Sequence, residues 1–286
     1  MTEYLCGFSL SQKCDYVFSR GEPFIINQKP AVLQSGDYNI FCRSDIDGLK
    51  DGDLVYCKID NLPLLHDLLL RYNKKIYLIT HDSDYEITES VFKPFSSNIL
   101  HWWGPHISYS HPRLTSIPLG LGNPYVPASI KPSDIPGQLP SNRNGLLYIN
   151  HRIETNEEER RRPYLLFKDS SWVTLREPSP VGEKSLYIKE LLGHKFVLCP
   201  RGNGIDTYRL WECLLMGAIP IVRDCINIRF FKDFPILIID DYENITRDLL
   251  LKSYNTLKPP MAFVKNKLTT DYWINLINEK RHKNKH

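Results

Sequence analysis

The chain has 286 residues, about two domains' worth at roughly 150 residues each, and is long enough to bury a core without disulfides or metals. Apolar residues make up 42% and charged residues 24%, the balance of a soluble globular protein, and the formal charge of +3 is too small to argue for nucleic acid as a partner. No stretch approaches the roughly 20 apolar residues that span a bilayer; the densest, residues 214–222, contains Pro220.

The N-terminus MTEYLCGFSL lacks both the basic and the long apolar region of a signal peptide, so a cytoplasmic chain without a membrane anchor is expected. The seven cysteines are odd in number, scattered, and without a CxxC pair. They read as free thiols in a reducing compartment, with no metal site.

Short apolar runs alternate with loops and helical stretches along the chain. In the first half the runs at 4–9, 39–43, 54–59, 75–80, 99–103 and 114–118 read as strands, and LPLLHDLLLRY, Leu62–Tyr72, reads as an apolar-rich helix. In the second half the strands are expected at 146–150, 172–175, 196–199, 218–222 and 236–239, with helices at 156–169, 183–192, 207–216 and 242–254. Such alternation predicts α/β architecture with parallel sheets covered on both faces. Residues 123–145 carry five prolines and no periodicity. They read as a linker, which gives a first domain at 1–125, a linker at 126–145, a second domain at 146–270 and a C-terminal segment at 271–286. The tail EKRHKNKH reads as a solvated basic terminus.

The most informative stretch is KFVLCPRGNGIDTYRLWECLLMGAIPIV, residues 195–222. It reads as a buried strand, a sharp PRGNG loop, a helix capped by Asp206 or Thr207 and ended at Gly217, and a second parallel strand. A glycine loop at a helix N-terminus within a βαβ unit is where phosphates bind. Within the helix, Arg209 and Glu212 stand at i, i+3 on one face. A cation near the helix start suits a diphosphate, and a carboxylate one turn deeper suits the two hydroxyls of a ribose. A plain intrahelical ion pair is the competing reading.

This stretch also resembles the donor-site signature of exostosin-like glycosyltransferases, family 47 and its relatives. It shares the strand, the Pro-Arg-Gly loop, Arg209, Glu212-Cys213-Leu214 and Gly217-Ala218-Ile219-Pro220-Ile221, with Cys213 and Ala218 as departures of similar size. LITHDSDYEI and HPRLTSIPLGLGN in the first half are similar to short members of the family. The resemblance implies a GT-B fold, two Rossmann-like domains facing a cleft, with the nucleotide-sugar donor on the second domain and the acceptor on the first. It implies that residues 271–280 form a helix crossing back to the first domain. It further implies an inverting transferase that needs no metal or other cofactor, using a UDP-sugar, with a weak lean to xylose, and a glycan or glycoprotein acceptor. Arg209 and Glu212 carry over as the diphosphate and ribose ligands.

The remaining candidates are assigned around that reading. Donor contacts are expected from Arg152, Arg201, Gly202, Asn203, Gly204, Asp206 and Thr207. An inverting transferase needs one carboxylate to take the acceptor's proton. Asp82, just past the apolar run KIYLIT, is the first candidate for that base, with Asp84 second and His81 third. His81, Trp102 and Trp103 are expected to line the acceptor groove, since aromatic faces stack on sugar rings. Arg223 and Asp224 are candidates for contact with the donor sugar. Glu157–Arg161 and Glu158–Arg162 are spaced i, i+4, so EEERRR reads as a solvated helix face. Two alternatives stay open: a metal-dependent GT-A enzyme using Asp82-Ser83-Asp84 as a DxD motif, and a non-catalytic nucleotide- or carbohydrate-binding module.

Overall fold

A computed structural model describes residues 2–18, 33–35, 38–42, 48–177, 184–257 and 260–283, of which 33–35 and 38–42 are described as backbone only. In chain order the elements are α1 (Gly7–Ser11), β1 (Tyr16–Phe18), β2 (Leu33–Ser35), β3 (Tyr38–Cys42), β4 (Leu54–Cys57), α2 (Leu62–Tyr72), β5 (Ile76–Thr80), α3 (Glu89–Phe92), β6 (Ile99–Gly104) and β7 (Leu114–Ser116). There follow β8 (Gly145–Ile149), α4 (Glu157–Phe167), β9 (Val173–Leu175), α5 (Lys184–Gly193), β10 (His194–Leu198), α6 (Tyr208–Leu215), β11 (Ile219–Arg223), β12 (Leu237–Ile239), α7 (Arg247–Leu257), α8 (Met261–Lys267) and α9 (Thr270–Lys283). No described helix is long and apolar enough to cross a membrane.

The chain divides into two compact units, one of residues 5–119 with 270–286, the other of residues 1–4 with 120–269. The first holds a seven-stranded sheet in the order β2-β3-β1-β4-β5-β6-β7. From β1 to β7 its neighbours run parallel, while β3 pairs antiparallel with β1 and with β2. The antiparallel edge departs from the all-parallel expectation. The parallel strands β4 and β5 are buried at every residue, the pattern of strands covered on both faces. α9 belongs to this unit. Thr270 Oγ1 bonds Ser9 Oγ at 2.7 Å, and Arg281 bonds Asp15 at 2.9 Å and the Gly52 carbonyl at 3.0 Å.

Residues 4–9 do not form the expected strand. Cys6 and Ser9 cap each other's backbone, Ser9 N donating to Cys6 Sγ at 3.4 Å and Cys6 N to Ser9 Oγ at 3.1 Å, and this starts α1 instead. Tyr4 forms only a single bridge, with Thr269. β1 and β2 escape a sequence reading because three residues are too short to show a period.

The second unit holds a five-stranded parallel sheet in the order β12-β11-β10-β8-β9. Leu147, Ile149, Phe196, Leu198, Ile219 and Ile221 form its core with Phe167, Tyr242 and Leu250 from the helical layers. The expected helix at 242–254 is two elements. Asp241 caps a short 3₁₀ turn at Tyr242–Asn244, and Thr246 restarts the chain as α7 by accepting from Leu249 N at 3.1 Å.

Residues 123–145, expected to be a linker, pack into the second unit. Ile130 is buried, Asp134 pairs with Lys184 at 2.7 Å, and Lys265 donates to the Pro136 carbonyl at 3.1 Å. A further anchor is Arg143, buried with no carboxylate partner among the described residues. It donates to the carbonyls of Leu191 (2.7 Å) in the last turn of α5, His194 (2.9 Å) at the start of β10, and Met216 at the end of α6. A helix C-terminus leaves carbonyls without partners and carries partial negative charge, so one guanidinium answers both needs at two helices. Gly217 ends α6 with φ +73°, and a Cβ there would sit 2.3 Å from Leu139 Cδ1 and 2.8 Å from Arg143 Nη2.

Replacing Arg143 with Met leaves three buried carbonyls without a donor. It is expected to lower stability by about 3 kcal/mol or more, read as a fall in the urea midpoint at constant slope. An unchanged midpoint overturns the anchoring role.

Candidate functional site

In the second sheet β9 lies on one side of β8, and β10, β11 and β12 lie on the other. The order in which strands are added to the sheet therefore reverses at β8, although β8 and β10 themselves run parallel. The loops leaving the C-terminal ends of those two strands lead on to β9 and β11 at opposite sides, and such a reversal opens the crevice where parallel α/β sheets take ligands. Here the two loops are residues 150–156 and 199–207.

Each loop is held by side chains from a neighbouring helix. Asn156 Nδ2 donates to the Gly202 carbonyl at 2.9 Å. Arg160, on α4, donates from Nε to the Arg201 carbonyl at 2.8 Å and from Nη1 to the Arg152 carbonyl at 2.9 Å. A Cβ on Gly202 would lie 2.7 Å from Arg160 Nη2, so the loop packs closely against that guanidinium. Gly202 N bonds the Gly204 carbonyl at 3.0 Å, which makes the turn tight.

Arg209 and Glu212, one turn apart on α6, take separate partners instead of each other. Arg209 donates from Nη1 to Asn150 Oδ1 at 2.7 Å and from Nη2 to the Asn150 carbonyl at 2.6 Å. Its guanidinium carbon lies 5.3 Å from the ring centroid of Tyr187 on α5. Glu212 is 8% exposed and accepts from Tyr187 OH at 2.8 Å. Burial pushes the Glu212 carboxyl up from its ordinary value, against the Tyr187 hydrogen bond and the Arg209 charge. The Arg160 guanidinium is pushed down to about 10, first by burial and then by the charge of Arg209. Two cations disfavour each other here, and among the described residues no carboxylate bonds to either, so the crevice carries positive charge with one buried carboxylate beneath it.

His151 sits 5% exposed in the same loop. Its Nε2 lies 2.9 Å from the Arg160 carbonyl and donates to it in the neutral tautomer. Its buried Nδ1 has no hydrogen-bond partner among the described residues. Burial, joined by the charges of Arg209 and Arg160, lowers it to about 4.

Of the donor residues expected from sequence, Arg201, Gly202, Arg209 and Glu212 come together, along with the main chain of Arg152, whose side chain is exposed. Asn203 is exposed, Gly204 shapes the turn, and Thr207 occupies the N-cap position of α6. The Asp206 carboxylate accepts from Thr207 N at 2.8 Å and from Trp211 Nε1 at 2.9 and 3.0 Å, which holds the start of the helix.

Arg160, Tyr187, Asn150 and His151 escaped the sequence reading. The signal for Arg160 was available. Successive helical residues are 100° apart, so three consecutive arginines cannot share one solvated face. Arg161 does pair with Glu157, at 2.8 Å. Arg162 turns to Asp241 and Glu243 instead of Glu158. Arg160 faces inward. Arg223 and Asp224 are engaged as well, Arg223 with Glu159 at 2.7 Å and Asp224 with Arg229 at 2.6 Å.

In the first unit, Asp82 follows β5 with φ 57°, a left-handed conformation that a non-glycine residue adopts at some cost. Its side chain is 6% exposed. Oδ2 accepts from Tyr56 OH at 2.8 Å, and Oδ1 lies 3.2 Å from His81 Nδ1. The carboxylate abuts Gly7, where a Cβ would come within 2.0 Å of it. Asp84, two residues on, is exposed.

The expected acceptor groove is corrected. The His81 side chain is fully buried, with Nε2 3.3 Å from the Pro118 carbonyl. Trp102 is wholly buried with its Nε1 on Thr80 Oγ1 at 2.8 Å, and buried Trp103 packs between Tyr77 and His101. β6 is an interior strand covered on both faces, so both tryptophans are core. The exposed aromatic on the loop after β5 is Tyr85.

The fold of the chain is that of OtsA in its apo state, similar over 82% of this chain and 73% of that protein with a TM-score of 0.51 at 11% identity. This is the GT-B fold. Two separate sheets, one wholly parallel and one parallel from β1 to β7, set the fold apart from the GT-A alternative. The chain is also similar to Anabaena HepE in complex with UDP and glucose (TM-score 0.47, 11% identity, 79% of this chain and 77% of that one). It is similar as well to TarM (TM-score 0.43, 12% identity, 79% of this chain), of which it spans 53% of the length. No family model and no curated protein sequence matches the chain.

The buried His151 makes stability depend on pH. Its folded value of about 4 lies below the ordinary 6.5, so the unfolded chain takes up the proton first as pH falls. Stability is expected to drop by about 3 kcal/mol between pH 6.5 and 4 from this group. His151→Phe should flatten that limb in urea titrations compared with wild type. Identical pH slopes in the two proteins would sink the assignment.

Proposed function

We propose that this chain is an inverting glycosyltransferase, which moves a sugar from a nucleoside diphosphate to a hydroxyl of a glycan or glycoprotein. The observation that carries the reading is the presence, in one crevice at the topological switch of a GT-B unit, of two guanidiniums with no carboxylate partner among the described residues, above a buried carboxylate. A nucleoside diphosphate has the matching order of groups: phosphates for Arg209, Arg160 and the N-terminus of α6, then ribose hydroxyls for Glu212. Arg201 and the Arg152 main chain border the phosphates. Uracil is the base that the donor-motif resemblance implies, and xylose is the first sugar to test.

In the reaction, the acceptor oxygen attacks the anomeric carbon as the bond from that carbon to the diphosphate oxygen breaks. The two arginines and the helix N-terminus stabilise the charge that develops on the leaving diphosphate. The acceptor's proton passes to a carboxylate of the loop after β5. Asp84 is assigned that role because it is exposed. Asp82, with Tyr56 and His81 on its two oxygens, is assigned to hold the loop.

Thermal unfolding against UDP and a panel of UDP-sugars, each with EDTA and with Mn²⁺, tests the donor site. A ligand at about 100 times its Kd stabilises the folded state by about 2.7 kcal/mol. A shift that survives EDTA is expected, and Arg209→Ala should abolish it. A shift seen only with Mn²⁺ overturns metal independence, and no shift with any nucleotide overturns the donor site. Asp84→Asn is expected to keep UDP binding and lose about 100-fold or more in turnover. Full activity in that variant, with loss in Asp82→Asn, would move the base to Asp82. UDP binding by a wild type that turns over no sugar would leave a binding module.

A further inference from the structure

We propose that Tyr187 is a specificity-determining residue of the nucleotide site, which fixes Glu212 as a hydrogen-bond acceptor and thereby sorts ribonucleotides from 2′-deoxyribonucleotides. The inference rests on the nucleotide reading above and adds to it a residue that lies outside the α6 motif, on α5.

The last torsion of a glutamate side chain is soft, so a carboxylate held by its stem alone can present its oxygens over a wide arc. In this structure the arc is closed. Tyr187 OH donates to Glu212 Oε2 at 2.8 Å, and Oε1 has no hydrogen bond within the described residues. One oxygen is pinned and the other keeps its capacity to accept. The pinning group is itself fixed, because the Tyr187 ring lies against the Arg209 guanidinium, which Asn150 holds with two bonds of 2.7 and 2.6 Å. Tyrosine, arginine, glutamate and asparagine thus form one assembly drawn from α5, α6 and the loop after β8.

A buried carboxylate with a fixed direction is a selective partner. A ribose hydroxyl in reach satisfies the open oxygen. A ligand that lacks the hydroxyl leaves it desolvated and unpaired, and sites built in this way reject the deficient ligand far more strongly than flexible ones. Without the tyrosine hydroxyl the carboxylate can turn and satisfy itself, and the penalty on the deficient ligand falls. The same hydroxyl holds the Glu212 carboxyl down against the effect of burial, so its removal should let the carboxyl titrate at higher pH.

The test is isothermal titration of UDP and 2′-deoxy-UDP into wild type and Tyr187→Phe across pH 5 to 8. The substitution keeps the ring, and with it the contact to Arg209. Wild type is expected to bind UDP about tenfold or more tighter than 2′-deoxy-UDP. In Tyr187→Phe that ratio should narrow by about fivefold or more, and the acid limb of UDP affinity should move to higher pH. A packing role alone would move neither. A wild-type ratio and limb in Tyr187→Phe overturn the inference and leave the nucleotide reading intact, as does a wild type that binds both nucleotides equally. A wild type that binds no nucleoside diphosphate overturns the functional reading and this inference with it. If Tyr187→Phe does not fold, Glu212→Gln gives a second measurement. It must collapse the ratio and remove the limb, and a Glu212→Gln variant that retains both also overturns the proposal.

Discussion

A guanidinium taken out of water needs acceptors, and the choice of acceptor decides whether its charge survives. The second unit shows both choices. Arg161, Arg162, Arg223 and Arg229 are bonded to carboxylates at the surface, and their charge is locally cancelled. Arg143, Arg160 and Arg209 are bonded instead to main-chain carbonyls and one side-chain amide. A carbonyl dipole fixes the direction of the group and leaves the full positive charge in place. For Arg143 that charge faces the negative ends of two helices and is used up in holding the unit together. For Arg160 and Arg209 it is left facing the crevice after β8 and β10, available to an anion.

The crevice is thus charged by construction, and its geometry follows from topology. The loops that leave the neighbouring strands β8 and β10 are tied together by Arg160, and Arg209 reaches across to Asn150. Gly202 packs closely against Arg160, and Asp206 uses its whole carboxylate to start α6 at the required place. Buried Glu212 would be costly beside nothing but apolar atoms. Tyr187 supplies a hydrogen bond and Arg209 an opposite charge, which keeps a carboxylate tolerable at that depth. The first unit shows the reverse economy. Asp82 has both oxygens occupied and a backbone in the left-handed region, and the exposed groups Asp84 and Tyr85 follow it.

Much of this was legible in the sequence where the signal is local. The strand–loop–helix–strand run at 195–222 appears with boundaries shifted by one or two residues, and Gly217 ends the helix with the positive φ expected of it. α2 occupies the expected residues. The pairing of Arg209 with Glu212 on one face followed from helical spacing, and spacing alone left an ion pair as an open alternative. That alternative fails because Asn150 and Tyr187, distant in sequence by 59 and 25 residues from their partners, compete successfully for the two side chains. Trp102 and Trp103 misled for a related reason. Their place at a strand end suggested a groove, but which strand lies at an edge and which in the interior depends on sheet order, and β6 is interior.

The sequence by itself determined the α/β class, the two halves rich in parallel strands, and the helix that carries a cation and a carboxylate on one face, because each depends on periodicities of two to four residues and on the conformational range of glycine. Only the tertiary structure decided that residues 123–145 belong to a packed unit, that Arg160 turns inward while its neighbours meet carboxylates, and that Tyr187 holds Glu212. Those outcomes rest on which elements become neighbours. Burial then sets which polar groups must find partners, and the partners come from parts of the chain that no local pattern connects.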